Sequence, residues 1–162
     1  MGAMVDGFED WYRTVHPRLV TSMAAVFGDP DLAREIADEA IVRAYERWDR
    51  VGAMANPAGW VYRVAINVGR RRHRRRSLET RLLRRERVPL VPGPTEDLHL
   101  LVADLPPRQQ LAVVLRHVGQ LSEPEIGEAM GVTRGTVSAT LRAAHRTLRE
   151  HLGEPPLYEG GA

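Results

Sequence analysis

Every stretch of this chain that repeats its apolar residues does so at three- and four-residue spacing, and none alternates apolar and polar long enough for a strand. An all-α fold follows. From about Phe8 to Phe27, the residues Phe8, Trp11, Tyr12, Val15, Leu19 and Val26 fall near one helical face. Pro17 inside that stretch predicts a kink or a break. Gly28 supplies a stop, and Asp29-Pro30 reads as an N-cap followed by a proline in the first turn. A second helix, about Asp31 to Trp48, aligns Ala33, Ile36, Ala37, Ala40, Ile41, Ala44, Tyr45 and Trp48 on one stripe. After a loop over Asp49 to Ala55, Asn56-Pro57 repeats the start signal. It opens a third helix that buries Trp60, Val61, Val64, Ala65 and Val68.

Arg70, Arg71, Arg72, Arg74, Arg75 and Arg76 continue this third helix beyond its apolar stripe. Such an extension is expected to face solvent or phosphate rather than a core. All 23 basic residues are arginine, and there is no cysteine. Schiff-base and P-loop lysines, disulfides, thiolate metal sites and cysteine nucleophiles are therefore excluded. The net charge of +2 hides a segregation: residues 1–62 carry −4, residues 63–87 carry +9 and residues 88–162 carry −3. A concentrated positive segment between acidic ones fits a polyanion footprint flanked by partner-facing surfaces. A solvated arginine run is the plainer alternative, weakened by the run's attachment to an apolar helical stripe.

Pro89, Pro92, Gly93 and Pro94 mark the best boundary in the chain, giving a first unit over 1–87, a linker over 88–103, a second unit over 104–152 and a frayed tail over 153–162. In the second unit, Pro107 to Val118 has helical period and ends at Gly119. Ser122 and Glu125 form a capping box for a short helix through Ile126 and Met130, which stops at Gly131. Thr133 can cap a last helix to about His151. Two helices joined by Gly131-Val132-Thr133 make a helix-turn-helix. On the second of them Val137, Leu141, Ala144 and Leu148 fall within about 60° of one another, and Arg134, Arg142, Arg146 and Arg149 occupy the adjacent face. A dry seam beside a row of donors is what a recognition helix in the major groove needs, although an ordinary amphipathic helix shares the pattern.

The motifs Leu105-Pro106-Pro107-Arg108-Gln109-Gln110, Leu121 to Gly127 and Gly131 to Val137 together resemble region 4 of extracytoplasmic-function (ECF) sigma factors. Asn56 to Asn67 with its arginine run is similar to region 2.3–2.4 of that family, and Glu35 to Tyr45 to region 2.2. The resemblance spans about residues 8–86 and 96–152, in the family's two-domain order. It implies a dissociable promoter-specificity subunit of bacterial RNA polymerase, with core polymerase and promoter DNA as partners and an anti-sigma factor as a candidate third. Carried over by motif, Glu35, Asp38, Glu39 and Arg43 would meet the polymerase. The loop Asp49 to Ala55 together with Arg50, Asn56, Trp60, Arg63, Asn67, Arg70, Arg71 and Arg74 would read and melt the −10 element, holding unpaired bases while cations hold phosphates. Arg108, Thr133, Arg134, Thr136, Ser138, Ala139, Arg142 and Arg146 would read the −35 element.

The chain departs from the family pattern in two places. Asp38 and Ile41 stand where a glutamine and an aromatic are common, and Ser138-Ala139-Thr140 replaces a common Lys-Ser-Arg, removing two cations. No catalytic, cofactor or metal constellation emerges: the six histidines show no zinc spacing, and Asp38-Glu39 and Glu125/Glu128 suit helix surfaces better than a catalytic dyad. Trp11, Trp48 and Trp60 lie on apolar stripes, which suits core packing, with base stacking as the alternative for Trp60. His145, beside the basic face, is a candidate phosphate contact. No bilayer-spanning run is present, and Asp6, Glu9 and Asp10 occupy the place of a positive leader region, so a cytoplasmic, nucleoid-associated protein is expected. Two rival readings stay open from the residues alone: a free-standing helix-turn-helix regulator, and a sigma-like polymerase binder without initiation activity.

Overall fold

The computed structural model describes residues 2–83 and 94–153, and these residues are arranged in eight helices with no strand among them. They are α1 (Gly2–Phe27), α2 (Pro30–Tyr45), α3 (Trp48–Val51), α4 (Pro57–Leu83), α5 (Pro94–Ala103), α6 (Pro107–His117), α7 (Glu123–Met130) and α8 (Arg134–His151). Residues 88–93 of the expected linker and residues 154–162 of the expected tail lie outside the described residues.

Local signals explain most helix starts. The Asp29 side chain accepts the Leu32 amide at 2.9 Å, with Pro30 in the first turn of α2. Ser122 and Glu125 form a reciprocal capping box on α7, and Thr133 caps α8 by accepting the Thr136 amide. Gly131 closes α7 at φ +68°, the left-handed conformation that lets the chain turn sharply into α8.

Three expectations need correction. Pro17 does not break α1, which runs uninterrupted from Gly2 to Phe27. The helix forgoes one backbone bond there, and buried Val15 and Leu19 hold both sides of the proline against the core. Residues 94–103 form a helix, because Pro94 sits where a helix can begin and Leu98 and Val102 then pack into the core, with α5 lying on α1. The third correction concerns the arginine extension of α4: Arg72 and Arg76 turn inward to carboxylates of α2.

The two halves of the chain share one hydrophobic core. Leu19, Ile36, Val61, Tyr62 and Ala65 belong to the same buried cluster as Leu115, Ile126, Val137 and Leu141. The seam between the halves runs where α4 packs on α7. It is close because Gly59 has no side chain: a Cβ there would lie 2.8 Å from the Glu125 carbonyl oxygen and 2.9 Å from Glu128 Cβ. Tyr62 is buried at this seam, its hydroxyl paired with Ser22 Oγ at 3.2 Å. Burial pushes its phenol up to about 12.

Candidate nucleic-acid interface

Helix α4 presents two arginine sets on different faces. Arg63, Asn67, Arg70, Arg71 and Arg74 recur at three and four residues and stand exposed along one face. Arg50, at the end of α3, is exposed as well, while Asn56 and Trp60 at the start of α4 are half-buried and Trp60 packs against the core. Trp48 also joins an aromatic cluster, its ring centroid 4.9 Å from that of Trp11.

The second set is spent inside the protein. Arg72 reaches Glu35 at 2.9 Å and also pairs with Glu39, while Arg76 reaches Asp29 at 2.8 Å and Glu35 at 2.9 Å. Arg43 closes the chain of charges by pairing with Glu39. Three of the four residues expected to meet the polymerase therefore sit in one ion-pair network with α4. Asp38, the fourth, is exposed and meets His16 Nε2 at 2.9 Å. Val42 and Tyr45, at 54% and 57% exposure, continue Asp38's face of α2, which makes that face more apolar than its acidic residues alone suggested.

In the second half, α8 lies on α6 and α7 through buried Val137, Leu141 and Ala144, as the helical wheel required. Arg134, Thr136, Ala139, Arg142 and Arg146 are exposed, Ser138 is half-buried, and Arg108 is exposed at the start of α6. The Thr133 and Thr136 hydroxyls pair with each other at 3.0 Å as part of the helix cap. His145 does not extend the basic face: its Nε2 meets His117 Nε2 at 3.0 Å, and its imidazole is pushed down by burial first and then by His117 and Arg149.

Beyond the capping box of Glu125, the contacts of the other α7 carboxylates, Glu123 and Glu128, carried no signal in the sequence. Glu123 accepts hydrogen bonds from Arg134 Nε and Ser138 Oγ, both at 3.1 Å. These bonds, Arg134's first and Ser138's second, hold its carboxyl below the usual carboxylate range. Glu128 lies 3.6 Å from Arg63 across the seam. A weak signal for the α2–α4 network did exist, since Glu35 and Glu39 are four apart on one helix, as are Arg72 and Arg76 on another.

This geometry, a basic helical face in one half and a capped helix-turn-helix in the other, agrees with the comparisons. Residues 11–79 match the family model for sigma-70 region 2, and residues 95–148 match that for sigma-70 region 4. The chain is 35% identical over 153 residues to an RNA polymerase sigma-E factor of Streptomyces avermitilis, covering 90% of this chain and 84% of that protein. It is 23% identical to the ECF RNA polymerase sigma factor SigW of Bacillus subtilis, covering 91% and 89%. Among solved structures, the fold resembles the sigma factor RpoE in complex with the anti-sigma factor NepR from Bartonella quintana. That likeness has a TM-score of 0.73 at 19% identity and covers 90% of this chain and 96% of that one. A second, CnrH in complex with the cytosolic domain of CnrY, has a TM-score of 0.64 at 18% identity, covering 90% and 87%. The chain belongs to the extracytoplasmic-function sigma factors of bacterial RNA polymerase, proteins of transcription initiation.

Proposed function

We propose that the two halves divide the work of a sigma factor between three faces. Helix α2 offers Asp38, Val42 and Tyr45 to core polymerase, with Glu35 and Glu39 holding that helix against α4 and Arg43 bracing Glu39 from within α2. An exposed aromatic beside an acid is the composition from which interface hot spots are built. The α4 face of Arg63, Asn67, Arg70, Arg71 and Arg74, with Arg50, Asn56 and Trp60 at its start, takes the −10 element. The exposed face of α8, Arg134 to Arg146, takes the −35 element, with Arg108 and Thr133 at its edges. The observation that carries this reading is the split of α4 itself: the arginines on its solvent face have no carboxylate of α2 against them, whereas those on its inner face do. In this reading the protein supplies contacts rather than chemistry of its own, and it acts in the cytoplasm at the nucleoid. An anti-sigma protein is a further partner, the class of NepR, with which the similar solved sigma factor RpoE is complexed.

The test is multi-round transcription by core polymerase from a related bacterium on fragmented genomic DNA, with 5′ ends sequenced. Wild-type protein should create starts that share two motifs at fixed spacing. The variant Arg70→Ala/Arg71→Ala/Arg74→Ala should still co-elute with core but lose at least about tenfold of those starts, because each lost phosphate contact weakens binding and flattens its salt dependence. Unchanged starts with this variant would overturn the assignment of the α4 face.

A further inference from the structure

We propose that Glu123, outside the recognition helix, determines which bases the start of that helix reads. The inference rests on the assignment of α8 to the −35 element. In a helix-turn-helix the first residues of the second helix reach base edges, and here those residues are Arg134 and, one turn on, Ser138. Both are bonded to the same carboxylate on the preceding helix, Arg134 through Nε to one oxygen and Ser138 through Oγ to the other.

The choice of atoms matters. With Nε–H committed to Glu123, the guanidinium keeps its two terminal amino groups as a paired edge, and 76% of the side chain remains exposed. Two parallel donors on one edge match the O6 and N7 acceptors of guanine. Ser138 changes character more. A free serine hydroxyl can donate or accept and so tolerates any base. Once its proton is directed to an ionised carboxylate it presents only lone pairs, and it pairs with a base donor, the N6 amino group of adenine or the N4 amino group of cytosine.

The other carboxylates of α7 have different tasks. Glu125 is held in the capping box with Ser122, and Glu128 faces Arg63 across the seam. Glu123 is the acid of α7 aimed at the start of α8, and its ionised form is favoured by the two bonds it accepts. It is a positioning residue: it touches no DNA and acts through two that do.

The experiment is selection of bound sequences from duplexes randomised across the −35 element by holoenzyme assembled with core polymerase. Wild type, Glu123→Gln and Ser138→Ala are compared, and helix content is checked by circular dichroism. Wild type should select a motif containing a guanine next to an adenine- or cytosine-bearing position. Glu123→Gln should relax preference at those two positions by about tenfold while the remaining −35 positions and the −10 element keep theirs. Ser138→Ala should relax only the amino-bearing position. If Glu123→Gln selects the wild-type motif with affinity lowered evenly across sequences, Glu123 is a mere brace and the proposal is overturned. If wild type itself selects no −35 motif, the assignment of α8 fails, and this proposal falls with it.

Discussion

Helices α4 and α8 are both arginine-bearing, and the structure treats them differently. Helix α4 is clamped twice, by α2 carboxylates under Arg72 and Arg76 and by α7 against Gly59. Helix α8 rests on an apolar seam, and among the described residues the one carboxylate bonded to its exposed face is Glu123, at its first turn. The same side chain is therefore mortar in one place and a free donor in another. What decides is the neighbouring helix: an acid four residues from another acid captures arginines four apart, and an apolar neighbour leaves them to solvent.

The contrast can be broken most strongly at the close seam of α4. Gly59→Val forces a branched side chain into the Glu125 backbone and should cost about 1–3 kcal/mol, read as a lower denaturant midpoint with an unchanged slope. An equivalent midpoint would mean that α7 can move off α4 freely. A smaller effect separates the two kinds of arginine. Arg72→Ala should lower stability by about 1 kcal/mol, a modest figure because the network is half-exposed and screened by solvent. Arg142→Ala, on the open face of α8, should stay within about 0.5 kcal/mol of wild type. Equal losses would erase the distinction between mortar and donor.

The smallest effect sharpens the role of Glu123, the α7 acid bonded to the start of α8. Because the Glu123 carboxyl is depressed in the folded state, its stabilisation is fully present above the unfolded carboxylate value of about 4.3 and is lost as pH falls through the lower folded value. The difference in unfolding midpoint between wild type and Glu123→Gln should thus be constant from neutral pH to about pH 5 and shrink below it. A difference that grows on acidification would reverse the assigned direction.

Helix starts were legible in the sequence because capping is local chemistry: Asp29-Pro30, Ser122 with Glu125, and Thr133 each act within four residues. The apolar seam of α8 was legible for the same reason, its period being fixed by helix geometry. Pro17 misled because a proline's cost is local while the packing of Val15 and Leu19 that overrides it is not. The prolines at 89, 92 and 94 misled in part, since the last of them begins α5 rather than preventing it. Glu35 and Glu39 could be assigned a helix but not a partner, for Arg72 and Arg76 lie more than thirty residues away. The place where the halves meet was equally hidden. An absent Cβ at Gly59 means something only once Glu125 and Glu128 are known to lie above it.

Measured in base pairs, that meeting place has a consequence. Elements named −35 and −10 are separated by about 25 steps, roughly 85 Å of duplex at 3.4 Å per step. Here Arg63 is 3.6 Å from Glu128 and Arg134 is 3.1 Å from Glu123, two acids of one helix of 8 residues that is about 12 Å long. The two readers stand far closer together than the two stretches of promoter they would read. If α4 takes the −10 element and α8 the −35 element, as proposed, simultaneous engagement requires α7 to part from α4 and expose the Tyr62 hydroxyl and the surface beneath Gly59 to water. On that reading the chain is a folded ruler that has to open before it can measure a promoter.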